Sequence, residues 1–460
     1  VRTDTTGLED GVGRTGFDEA TLRRLSRLWD EPAWLWERRR AAWEQFRSLP
    51  LPPATHEAWR RTPPERLAWE GLAPVLQEEG SEEVIPRALE GLADGGPTLV
   101  LHNGAPARAQ GAEALREAGV VFCDLRTAVR EHPELVEPFL FRATFRPEEN
   151  AFTAQHSAFA TGGVFLYVPP GVEVQQPLVV GDWLDGEGFA SPHVLVVLGP
   201  RSRAALVHRR TGLGGGLVNL GAELVVQEGA QLRYVQLQDL PRQVREFGVV
   251  RARVGRDATV YSLVASFGAS VEKLFVESLL DSPGASSEML GAFFADDAQH
   301  YDVHTLQEHR AGHTGSDLLY KVALLGSARS VFAGLIRVHP GAQKTNAFQS
   351  NRNLLLSPES RADSKPELEI MANDLRCTHG SAVSRLDEQH LFYLQTRGLT
   401  RQQAVHMIVE GFFSEVLDRL PLEGVRLWLE QKVAEKMGAQ APLGRVAALR
   451  GLLEEVAGNR

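Results

Sequence analysis

The chain has 460 residues, 43% of them hydrophobic, enough to bury a large core and to divide into two or three domains. A formal net charge of -10 with no Lys/Arg block excludes the concentrated positive surface that a nucleic-acid binder needs. No window reaches the ~18 to 20 apolar residues of a membrane span, and the opening VRTDTTGLEDGVGRTG is polar and unlike a secretory signal, so the cytoplasm is the expected compartment.

Six of the eight tryptophans fall within the first 70 residues, in segments with a helical pattern. In LWDEPAWLWERRRAAWEQFRSLPLP, Pro32 suits a helix's first turn, and Trp36, Trp43 and Phe46 recur at helical spacing as a core stripe. Residues 1–95 are therefore expected to form an N-terminal helical domain. Residues 96–150 form a connecting α/β segment of short runs such as PTLVLHNG and GVVFCDL, in which Cys123 suits a buried core thiol.

From 151 to 386 the texture changes to short β-branched runs, among them VFLYVPPGVEV, VLVVLGP and AELVVQEGAQLRYVQLQ. Small-residue corners at Gly229-Ala230, Asp257-Ala258, Gly284-Ala285, Gly341-Ala342 and Gly380-Ser381 give an irregular repeat. A period of roughly 20 to 30 residues is what one coil of a β-solenoid consumes, each coil burying its apolar face on the next. A two-sheet sandwich is the competing fold, but the Asn-Gly and Asp-Gly hairpin signals it would use are nearly missing. Residues 387–460 read as a C-terminal helical domain. Thr400 and Gln403 make a capping-box pattern, Pro421 stops the helix, and its apolar stripe includes Val405, Ile408, Val409, Phe412, Phe413 and Val416. Either the chain's last helices, VRLWLEQKVAEKM and RVAALRGLLEEVA, or a partner must cover that stripe.

The two cysteines, Cys123 and Cys377, make neither a disulfide framework nor a zinc-finger quartet. In NDLRCTHGSAV, however, Cys377 and His379 are two apart, and on a strand they would present sulfur and imidazole to one face. That is half of a tetrahedral site suited to zinc, iron or an iron-sulfur cluster, its other ligands coming from another chain; the alternative is a core thiol beside a hydrogen-bonded turn histidine. A thiol-imidazole hydrolase or acyltransferase is a further reading, weakened because neighbours on one strand seldom meet at good angles. A carbohydrate-active β-helix would need rows of carboxylates or calcium, and the strands here carry Gln, Arg and Ser instead. HPGAQKTNA resembles a phosphate loop but has Gln343 where Gly must precede Lys344. In QHYDVHTLQEHRAGH, His300, His304, His309 and His313 are expected to spread over more than one strand as exposed or hydrogen-bonded residues rather than metal ligands.

AFTAQHSAFATGGVFLYVPPGVEVQQPL and the combination GAQKT, NLLLS, KPELEI, CTHG and LFYLQTRG closely resemble the SufB/SufD family of iron-sulfur cluster assembly scaffolds, over most of the chain and most densely from about 300 to 420. EPAWLWERRRAAWEQFRSLPLP and HEAWRRT resemble the SufD branch. So does the lack of the extra SufB cysteines, one of which would stand at Leu394, and a role as sole sulfur acceptor is not carried over. The resemblance implies a right-handed parallel β-helix flanked by helical domains. It implies a non-catalytic subunit of a SufBCD-type complex, pairing with SufB through the β-helix and docking the ATPase SufC through the stripe after Thr400; whether the chain forms a homodimer when alone is left open by the sequence. It further implies a transient iron-sulfur cluster at the subunit interface, with His379 as ligand opposite a SufB cysteine and Cys377 as auxiliary.

Overall fold

The computed structural model describes residues 16–92 and 95–438; the RVAALRGLLEEVA segment lies outside them. Two ten-stranded sheets dominate. Sheet I runs from the strand Ala105–Gln110 to Arg376–Arg385, and sheet II from Val121–Asp124 to Arg361–Ile370. Between residues 192 and 385 the chain passes from one sheet to the other at each strand, and each strand pairs in parallel with the one a full coil earlier. This is a parallel β-solenoid. Register is constant, so that Thr259, Ser286, Gly315, Asn346 and Arg376 stand in line along sheet I. Successive starts at Arg203, Gln231, Thr259, Ser286, Gly315, Asn346 and Arg376 give coils of 27 to 31 residues, at the upper end of the expected period.

The corners explain the repeat. Gly229, Asp257 and Gly284 take the left-handed conformation (φ 66°, 53° and 77°), which turns the chain sharply. The alanine that follows each, Ala230, Ala258 or Ala285, is fully buried and is small enough to enter the narrow end of the lumen. Gly341-Ala342 is also at a corner, whereas Gly380-Ser381 is not: it lies within the strand Arg376–Arg385, opposite Ser350 and Asn351. A small dipeptide alone does not make a corner. At the last rung nothing stands within 4 Å of where a Cβ on Gly380 would be, so no crowding forces a turn there.

The lumen is filled by inward-facing side chains such as Leu206, Tyr234, Val264, Phe293, Tyr320 and Phe332. Outside sheet II, the helices Glu19–Trp29 and Ala33–Ser48 and the segment around Trp59 pack on Phe189, Leu195, Val197 and Phe247. Trp36 and Trp43 are half-buried at the margin of this cluster, while Phe46 is within it. Segment 96–150 supplies the first rungs: Thr98–His102 pairs in parallel with Leu178–Leu184, and Val121–Asp124 antiparallel with Gly162–Val168. Cys123 is half-buried, and burial pushes its thiol up to about 12. Outside sheet I lie the helices Arg401–Asp418 and Glu423–Lys436. No helix among the described residues is long and apolar enough to cross a membrane.

Candidate functional site

The last coil is where the solenoid opens. Among the described residues, strand Arg376–Arg385 pairs only with Asn346–Leu355, and Arg361–Ile370 only with Arg329–Val338, so each sheet ends there in an unpaired edge. Cys377 stands opposite Ala347 and His379 opposite Gln349. Ala347 and Gln349 are buried lumen residues, so both site residues face the lumen from the rung beyond them. Cys377 is half-buried against Ile336, Val338, Ala342 and Ala347, and this burial raises its thiol pKa. His379 is exposed at the mouth.

Much of the rest of the rim is apolar. Leu368 and Ile370 stand one rung beyond the buried Ile336 and Val338, and Val383 one rung beyond Asn353. They are 36%, 41% and 48% exposed, and Met371 beside them is 49% exposed. An unpaired edge bordered by exposed apolar side chains is a surface built to be covered. The sequence reading missed these residues, although the alternation in KPELEIM, with Leu368 and Ile370 between Glu367 and Glu369, carried the signal. A thiol and an imidazole are donors suited to iron, yet no group of three metal-binding side chains occurs among the described residues.

The stripe after Thr400 lies elsewhere, on the outer face of sheet I. Thr400 and Gln403 form the capping box, with the Gln403 amide donating to Thr400 Oγ1 at 3.2 Å and the Thr400 amide to Gln403 Oε1 at 2.9 Å. Val409, Phe413 and Val416 are buried against the sheet, in a cluster that includes Leu290, Phe294 and Leu319. Val405, Ile408 and Phe412 are half-buried at its margin. Lys321 Nζ donates to the Phe412 carbonyl at 2.7 Å and sits 5.1 Å from its ring centroid. The structure thus brings Cys377 and His379 together on one strand and keeps the helical stripe apart from them.

The other candidate motifs are structural. His300, His304 and His309 do not spread over several strands but share the strand His300–His309, because that strand spans ten residues; His313 follows in the turn. His300 Nε2 meets Thr62 at 2.8 Å, and His309 is held by Thr314 and Ser316 at 2.8 and 2.9 Å. Lys344 lies in a solenoid corner, at φ 61°, and pairs with Asp374. As for a thiol-imidazole hydrolase, no hydrogen bond joins Cys377 to His379 among the described residues, and a thiol with a raised pKa is a weak nucleophile at neutral pH.

Residues 183–412 match the family described as SUF system FeS cluster assembly, SufBD core domain, and residues 96–180 match the SufBD protein N-terminal region. The chain belongs to the SufBD family. The iron-sulfur cluster assembly protein SufD of Bacillus subtilis is 28% identical over 92% of this chain and 99% of that protein. A SufBD family protein of Mycobacterium bovis is 32% identical over 71% of this chain and 82% of its own length. SufB of Bacillus subtilis is 24% identical over 89% of this chain and 90% of its own. Within the SufBD family the chain stands on the SufD branch.

Proposed function

We infer that this SufBD family protein is a scaffold subunit in iron-sulfur cluster assembly, joining a SufB-like subunit and a SufC-type ATPase in a SufBCD-type complex. The observation that carries the reading is the open last coil, where two unpaired sheet edges and an apolar rim surround the imidazole of His379. A second solenoid end laid against this mouth would pair the edges, cover Leu368, Ile370, Met371 and Val383, and complete the ligand set around a nascent cluster. His379 supplies the accessible ligand and Cys377 the auxiliary one. The cluster is cargo shared with the partner. A SufC-type ATPase docks on the half-exposed margin of the 401–418 helix, at Val405, Ile408 and Phe412, while Val409, Phe413 and Val416 hold that helix to the solenoid. This chain hydrolyses no ATP itself, because its only phosphate-loop-like segment is a corner without the glycine before Lys344.

Co-expression with tagged SufB-like and SufC-type proteins tests this. The chain is expected to co-purify with both, with ATPase activity only when the SufC-type protein is present. A chain that stays alone, or turns over ATP when free of contaminating ATPase, sinks the proposal.

A further inference from the structure

The outer face of sheet II carries, beside the loop 139–149, a cavity of about 400 Å³ lined by six arginines: Arg142, Arg146, Arg251, Arg253, Arg310 and Arg337. Only three carboxylates, Glu149, Glu277 and Glu308, line it with them, in a chain whose overall charge is -10. Four of the arginines belong to an ion-pair lattice. Arg251 bonds Glu277 at 2.5 Å and Glu149 at 2.8 Å. Arg253 and Arg310 share Asp281 at 2.6 and 3.0 Å, and Arg337 bonds Glu369 at 2.6 Å. Arg142 and Arg146 are exposed and have no carboxylate within ion-pair distance among the described residues. With Asp281 and Glu369 counted, five carboxylates compensate the four lattice arginines, so the cluster's net positive charge is about one and is carried by Arg142 and Arg146.

Their loop is fixed in place. Glu223, fully buried, accepts the backbone amides of Phe141, Thr144 and Phe145 at 2.5, 2.8 and 3.0 Å. Arg251 Nη1 donates to the Thr144 carbonyl as well as to Glu149. The backbone that carries these two guanidiniums is thus held at the rim of the cavity by a buried carboxylate, so the loop needs little ordering on binding and only the two side chains remain to be fixed. Guanidinium forks match planar or tetrahedral oxyanions bidentately, and the cavity volume is that of a small-molecule site.

We propose that this cavity binds a small multivalent oxyanion, gripped by Arg142 and Arg146 against the arginine-rich floor. The shared chemistry is clustered phosphate or carboxylate oxygens, and two probes separate the sources: pyrophosphate and citrate. Each is titrated calorimetrically into the full chain at constant ionic strength, because screening would otherwise mask the comparison. Saturable one-site binding of at least one probe is expected, weakened at least tenfold in Arg142→Gln/Arg146→Gln. Arg24→Gln/Arg40→Gln makes the same change of charge on the N-terminal helices and should leave the affinity within twofold. Both pairs are exposed, and circular dichroism checks that the variants fold. Preference for pyrophosphate assigns a phosphate ligand, and preference for citrate a polycarboxylate. Failure of both probes to bind, or equal loss in the two double variants, overturns the proposal.

Discussion

Cys377 and His379 are two residues apart and face the same way, yet their environments differ because no strand among the described residues lies one rung beyond them. Cys377 packs on four buried neighbours, whereas His379 is open. His379→Ala should therefore leave the unfolding midpoint unchanged while lowering the rate of cluster assembly in the reconstituted complex. Cys377→Ala should cost about 1 kcal/mol of stability through lost packing and affect assembly less. Parental assembly rates in both variants would remove the half-site. The shared face was legible from the two-residue spacing alone; the difference in burial was not, since it depends on which coil is last. A second residue-scale consequence concerns acid. Burial pushes His309 down to about 4, and burial with Arg66 nearby does the same to His300. An unfolded imidazole, with a pKa of about 6.5, takes up a proton that the folded form refuses between there and 4. Their contribution to stability is thus present above about pH 6.5 and lost as the pH falls to 4. Glu272, raised by burial and then by the Glu246 carboxylate, acts in the opposite sense: its contribution is present below the ordinary carboxylate range and lost as the pH climbs. Unfolding followed by circular dichroism from pH 7 to 4 should show the acid loss, with a shallower slope in His309→Gln; an identical slope would mean that His309 takes up its proton in the fold as readily as in the unfolded chain.

At the scale of the element, the 401–418 helix shows what a pattern can and cannot convey. Its capping box and the width of its apolar stripe were plain in the residues, because both depend only on local spacing. Which part of the stripe faces home depends on sheet I, whose outward residues Leu290, Phe294 and Leu319 come from distant strands. The adjacent pair Phe412 and Phe413 divides accordingly. Phe413 is 2% exposed and lies 6.5 Å from the Phe294 ring, while Phe412 is half-buried beneath Lys321. Phe413→Ala should cost about 3 to 5 kcal/mol of stability, and Phe412→Ala only about 1. Binding of the SufC-type ATPase should respond in the other order, with Phe412→Ala weakening it at least tenfold in a titration on folded protein. If Phe412→Ala and a charge placed at Ile408 both left that affinity unaltered, the helix would be purely internal core and the docking surface would lie elsewhere.

For the whole molecule, the period of the solenoid was legible because three successive corners repeat a left-handed residue and a buried alanine, at Gly229-Ala230, Asp257-Ala258 and Gly284-Ala285. Its covering was not. The N-terminal tryptophans read as a self-contained core, but Trp59 stacks on Phe152 and Phe247 of the solenoid side, contacts that no local pattern encodes. The two outer faces are thus covered in part by the chain's own helices, while among the described residues no strand caps the last coil. Long unpaired edges are aggregation liabilities unless something pairs with them, and the four exposed apolar residues at this mouth would be poorly placed in a lone molecule. Lysine on an edge strand is the means by which natural sheets refuse a partner. Leu368→Lys and Val383→Lys, one on each sheet, should therefore block pairing with the SufB-like subunit without disturbing the coils beneath, because both side chains already reach solvent. The double variant should keep its far-ultraviolet circular dichroism and its unfolding midpoint to within a few degrees. It should lose the SufB-like subunit in co-purification yet still bring down the SufC-type ATPase, whose proposed surface on the 401–418 helix is untouched. Undiminished pairing with the SufB-like subunit would place that interface away from the open coil, and His379 would lose its claim to a shared cluster.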